Sequence, residues 1–138
     1  MNLLHASNAK TADRLDFDSY SLLTQEANRD FAKLQTLQQT ALKQTTAKQS
    51  ATVYSALLES ALYKVKQALE LNPTGIKGLN LFARIELFIG NPQKAQVIIE
   101  RALAAKPDSA TALYSAGHIA LALGQLALAD KHFTVSLK

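Results

Sequence analysis

From Asp18 onward, apolar residues recur three and four places apart. A first run holds Leu22, Leu23, Ala27, Phe31, Leu34, Leu37, Ala41 and Leu42; a second holds Val53, Leu57, Leu58, Ala61, Leu62, Val65, Ala68, Leu69 and Leu71. That spacing places them on one face of an α-helix. Before Asp18 the pattern is missing. Leu3, Leu4, Leu15 and Phe17 follow no period, so residues 1–17 are expected to form a tail, with Asp18 or Ser19 capping the first helix. Between the two runs, residues 35–52 are rich in Gln and Thr and contain neither Gly nor Pro. They read as a solvated helical surface with a turn near Thr45–Gln49; a flexible linker is the alternative.

Beyond Asn72-Pro73 the punctuation sharpens. Thr74 is placed to cap a helix from about Gly75 to Ile89, and Gly90 to close it in the left-handed conformation. Asn91 then caps a helix with Pro92 at its first position, where a missing N–H is harmless. That helix is expected to reach about Lys106 and stop at Pro107. Asp108 caps the next, Gly124 closes it, and a last helix occupies about 126–138. Helices this short, joined by turns of about three residues, must run antiparallel.

The same punctuation is written twice. ALELNPTGIKGL begins at Ala68 and ALAAKPDSATAL at Ala102, a shift of 102 − 68 = 34. This shift pairs Ala61 with Ala95 and Ala129, Val65 with Ile99 and Phe133, and Ala68 with Ala102 and Ser136. It also pairs Ala83 with Gly117, Pro73 with Pro107 and Gly90 with Gly124. A fixed period of this length marks stacked helical hairpins. The small residues have a physical reason: helices that cross closely tolerate only Ala, Gly or Ser at the crossing, with a large apolar neighbour filling the gap.

On these residues the chain resembles the tetratricopeptide repeat family. Leu79, Phe82-Ala83, Ala95-x-x-x-Ile99, Ala102 and Pro107 match the family's pattern, with Glu86 standing where an aromatic is expected. The next unit offers Leu113, Ala116-Gly117, Ala129-x-x-x-Phe133 and Ser136, with Ala120 at the aromatic position. The unit ending at Pro73 matches only in its second helix, and its first would fall in the degenerate stretch 42–60. The resemblance implies an all-α fold, antiparallel helical hairpins stacked as a right-handed solenoid. The expected divisions are a tail at 1–17, N-terminal helices with a degenerate repeat at 18–73, one unit at 74–107 and another at 108–138, truncated at its C-terminal end.

Composition narrows the class. The 138 residues are 48% hydrophobic and 19% charged, as in globular chains, and five Gly and three Pro are too few for a turn-dense β fold. With no cysteine there is no disulfide framework or thiol chemistry. No run approaches the roughly 18 apolar residues that would span a bilayer, and no secretory leader is evident, so a cytoplasmic protein is the default. The first 40 residues carry four basic and five acidic groups and the remainder eleven and six, giving the net +4. That bias is too mild to argue nucleic acid; Lys43, Lys48, Lys64 and Lys66 would be the residues of such a binder.

Candidate chemistry is sparse. His5, His118 and His132 form no metal-ligand spacing, no Gly-rich loop follows a strand, and no nucleophile motif exists, so no catalysis, metal or cofactor is expected. What remains is a surface. In the resembling family, the first helix of each pair lines a groove that binds peptides. By helical period, Lys77, Asn80, Arg84, Leu87 and Phe88 would face it, with Thr111, Tyr114, His118, Leu121 and Ala122 one repeat on. Apolar Leu87, Phe88 and Tyr114 beside Lys77 and Arg84 suit a partner segment with an apolar anchor and a carboxylate. The alternative is that Leu87, Phe88 and Leu121 are covered by the N-terminal helix. Asn80 and Arg84 do not reproduce the family's chaperone-type carboxylate clamp, so that ligand is not expected. Phe133, Val135 and Leu137 lack a following helix to cover them. Either the chain belongs to a longer protein, as the N-terminal docking or dimerisation segment of an enzyme such as a repeat-fused transferase, or this edge meets a partner or a second copy.

Overall fold

The computed structural model describes residues 3–41 and 47–137, with side-chain surroundings for 18–40 and 51–137. The described residues form helices and turns only: α1 (Leu3–Ala41), α2 (Ala47–Leu71), α3 (Ile76–Phe88), α4 (Pro92–Ala105), α5 (Ala110–Ala122) and α6 (Leu126–Ser136). They divide into two compact units, Met1–Asn72 and Pro73–Lys138.

In the first unit α1 packs along α2. The expected tail is not irregular: α1 begins at Leu3. Residues 3–17 contain no Gly or Pro, and helix propensity does not require an apolar period. The buried stripe of α1 is Tyr20, Thr24, Ala27, Phe31 and Leu34. Leu22, expected on that face, lies off it and is 55% exposed. Thr24 sits in the apolar stripe because its hydroxyl donates to the Tyr20 carbonyl at 2.7 Å. From α2, Ala61, Val65 and Ala68 meet this stripe, small residues where the helices approach. The first helix expected within 42–60 is not there. Ala47–Gln49, expected in a turn, open α2 instead, and Thr45 and Thr46 lie outside the described residues. It is α1 that supplies the partner helix.

A polar clasp fixes the register of this hairpin. The Asp30 Oδ2 accepts from the Ser60 hydroxyl at 2.7 Å and from Lys64 Nζ at 2.9 Å, and Glu26 stands 3.8 Å from the same ammonium. Burial works to raise the Asp30 pKa. The hydrogen bonds from Ser60 and Lys64 and the Lys64 charge outweigh it, with Lys33 adding, so the carboxyl sits below its ordinary value. Lys64 is thereby engaged within the fold rather than offered to a polyanion.

In the second unit α3 packs on α4, α5 on α6, and α5 lies against both α3 and α4. The turns repeat with the sequence. Gly90 at φ 90° and Gly124 at φ 75° occupy the left-handed region, where a side chain would be strained. Each is followed by an N–H that reaches back: Asn91 N to Glu86 O and Gln125 N to Ala120 O, both 2.8 Å. The N-caps shift by one from expectation. Gly75 rather than Thr74 precedes α3, and Ser109 rather than Asp108 caps α5, its Oγ accepting from Ala112 N at 3.3 Å. Asp108 and Ser109 both carry a capping oxygen, whereas Gly75 occupies its cap position without a side-chain hydrogen bond. Asn91 precedes α4 but does not cap with its side chain. Its Nδ2 donates instead to Glu86 Oε2 at 3.0 Å, while Lys94 Nζ lies 3.2 Å from Glu86 Oε1. This explains a carboxylate at the repeat's aromatic position: Glu86 is only 2% exposed, and both oxygens are satisfied.

The core of the unit repeats by size exchange. Ala83 on α3 and Ile99 on α4 are both buried. Thirty-four residues on (83 + 34 and 99 + 34), Gly117 takes the place of Ala83 and Phe133 that of Ile99. The ring fills the space a methyl would need, since a Cβ on Gly117 would stand 2.5 Å from Phe133 Cε1. Phe133 is therefore not part of an open edge; it is half-buried and turned inward onto α5.

Two outcomes follow from these contacts. Gly117→Ala should cost about 1–3 kcal/mol by overpacking. Adding Phe133→Ile, which recreates the Ala83–Ile99 pair, should recover at least half of that loss in urea unfolding; fully additive costs would contradict the exchange. Asp30→Asn should destabilise the first unit by about 1 kcal/mol at neutral pH. Because the folded pKa is depressed, this difference is present above the unfolded value of about 3.9 and is lost as pH falls through the folded one. A wild-type-minus-Asn difference that persists undiminished at about pH 2 would contradict the clasp.

Candidate functional site

The 34-residue register sets α3 beside α5, so residues on their shared face meet in pairs. A cavity of about 420 Å³ opens there, lined by Asn80 and Arg84 from α3, by Ala110, Thr111, Tyr114 and Ser115 from α5, and by Ser136 and Leu137 at the end of α6. Four of the residues expected from periodicity, Asn80, Arg84, Thr111 and Tyr114, are thus brought together. The others are not on its wall. Lys77 is exposed, Leu87 and Phe88 are half-buried, and Leu121 is exposed.

Tyr114 is the fixed point of the wall. Its ring meets His118 edge-on with centroids 4.6 Å apart and Phe133 at 5.9 Å, and His118 in turn meets Phe133 at 5.2 Å. Three mutually perpendicular rings hold one another by their quadrupoles, worth about 0.5–1.5 kcal/mol per pair. His118 is therefore a support for Tyr114 rather than a lining residue. Tyr114 nonetheless remains 57% exposed, a large apolar face offered in a restrained position.

Opposite it, the Asn80 Oδ1 is buried and has no hydrogen-bond partner among the described residues. A buried carbonyl oxygen left unpaired costs about 1–3 kcal/mol, a cost removed when a ligand donates an N–H to it. Arg84, half-buried one turn further along α3, brings a guanidinium suited to a carboxylate. The cavity can therefore hold an apolar group, a donor and an anion together.

Ala110, Ser115 and Ser136 were not anticipated. Ala110 and Ser115 flank Thr111 and Tyr114 at helical spacing, and Ser136 falls 34 residues after buried Ala102, so the repeat contains the signal. Leu137, expected as an edge residue, lines the cavity while remaining 88% exposed. Val135 is exposed and outside it. At His132, where Ile98 stands one repeat earlier, burial and neighbouring Lys131 lower the pKa against a smaller opposing pull from Glu100. Among the described residues no three metal-ligating side chains converge, and no helix is long and apolar enough to cross a membrane.

The chain is similar to the crystal structure of MamA. The superposition has a TM-score of 0.53 at 17% identity and covers 93% of this chain and 82% of that one. The fold is an all-α helical repeat. At that identity the likeness speaks to the fold and not to the site. No protein-family profile matches the sequence, and no curated protein matches it.

Proposed function

We propose that this chain is a non-catalytic protein-interaction module that holds a peptide or helical segment of a partner against the wall formed by α3 and α5. The reading rests on one observation: residues 34 apart in the repeat, Asn80 and Tyr114, meet in a cavity with a restrained aromatic face and an unpaired buried acceptor. Tyr114 is the apolar anchor. Asn80 accepts an N–H from the bound segment, and Arg84 pairs with its carboxylate. Thr111 and Leu137 border the bound chain, and Lys77 lends positive charge from beyond the wall. An acidic segment with one large apolar side chain is the partner chemistry that fits. Anchors of this kind carry most of the energy of an interface, so few substitutions should decide binding.

Selection from a random peptide library against the full chain tests this. The selected peptides should share an apolar residue near a carboxylate. They should lose about tenfold or more in affinity for Tyr114→Ala and for Arg84→Glu, with the helical circular dichroism unchanged. Peptides that bind both variants as tightly as the native chain would place recognition elsewhere.

A further inference from the structure

A second concavity lies within the first unit. It measures about 530 Å³ and runs along α1 beside the start of α2, with Ala32, Leu37, Val53 and Leu57 as its apolar floor and Arg29 and Lys33 on its wall. Two further lining residues, Thr36 and Thr40, use their hydroxyls on their own helix, donating to the carbonyls of Ala32 and Thr36 at 3.0 and 2.9 Å. Among the described residues the wall therefore offers outward donors only through its two cations. Neither is within ion-pairing distance of a carboxylate among the described residues, because nearby Asp30 is held by Ser60 and Lys64. Val53 is half exposed, and Leu22, on the same side of α1 two turns before Arg29, is more so.

The geometry points to an acidic amphipathic helix as the occupant of this groove. From Arg29 to Thr40 the wall is about 16 Å long, the span of three helical turns. A groove this open would leave a small ligand largely in water, whereas a helix laid along it buries an apolar stripe continuously. Arg29 and Lys33 are one turn apart and exposed on one helix. They match two carboxylates one turn apart on the flank of an incoming helix, and such complementarity sets both orientation and partner choice. The added helix would complete a three-helix arrangement on a pair of helices that, among the described residues of α1, buries one stripe.

The test uses the full chain and a lactam-bridged helical peptide of about five turns. Its leucines are spaced three and four apart, and glutamates flank them at i, i+4. The counterpart peptide carries lysines in place of the glutamates. The acidic peptide should bind the native chain and weaken about tenfold or more with Arg29→Glu plus Lys33→Glu, while the lysine peptide should prefer that doubly reversed variant. Both substituted positions are exposed, so folding should be retained, as circular dichroism would show. Val53→Asp, in the floor, should weaken both peptides. No binding to the native chain, equal binding of both peptides, or saturation of the groove by decanoate with the acidic peptide excluded from it would overturn the assignment. So would a concentration-dependent dimer, seen by light scattering, that Val53→Asp abolishes and the peptide fails to displace.

Discussion

Two helices can approach closely where one of them presents a residue with nothing beyond Cβ and a large apolar side chain of the other fills the gap, and the second unit is organised around that limit. On α3 and α4 the corresponding residues are Ala83 and Ile99, both buried. Between α5 and α6 the limit is met by Gly117 with Phe133, the smaller residue allowing the larger neighbour. The turns are positioned by the same repeat, since Gly90 and Gly124 stop their helices at corresponding points and turn the chain back. Once these contacts are set, α3 and α5 are held in register and their outer residues have no freedom in whom they face.

The candidate site follows from that register rather than from any local motif. Asn80 and Tyr114 occupy one position in successive repeats, yet one is an amide with an unpaired oxygen and the other an aromatic face. A repeat thus supplies two different functional groups at a distance fixed by helix packing. Phe133 serves both ends of this arrangement. It fills the space over Gly117 and braces Tyr114 edge-on, so core packing and the presentation of the anchor share one side chain. Glu86 shows how the pattern tolerates an exception: a buried carboxylate replaces an aromatic because Lys94 and Asn91 reach both of its oxygens.

Much of the second unit was legible because its signals are redundant. Proline, glycine, small residues and large residues all recur at 34, and any one of them gives the same helix boundaries to within a residue or two. The cap at Ser109 was misplaced by one because Asp108 carries an equally good capping oxygen, and the cap at Gly75 because that position makes no side-chain cap at all. Residues 3–17 were read as a tail because their apolar residues follow no period, and periodicity is a signal of an amphipathic helix rather than of helix as such. In the Gln- and Thr-rich stretch the 34-residue register continued on paper, but the helix that pairs with α2 is α1. Helical period, with the resemblance saying which helices line a groove, set Asn80, Arg84, Thr111 and Tyr114 on one face, and these four line one cavity. The role of His118 as a brace, and the inward turn of Phe133, were not legible, because they depend on rings from two helices meeting. The orphaned oxygen of Asn80 has no sequence signature at all.

The most direct measurement is a nuclear Overhauser spectrum of the full chain in solution, read at the Gly117 Hα protons. If Phe133 closes over that glycine as the packing requires, strong cross-peaks will connect Gly117 Hα to the Phe133 ring, and weaker ones will connect that ring to Tyr114. If Gly117 Hα shows no contact with the ring, the size exchange that holds α5 to α6 and braces Tyr114 is wrong, and the candidate site loses its frame.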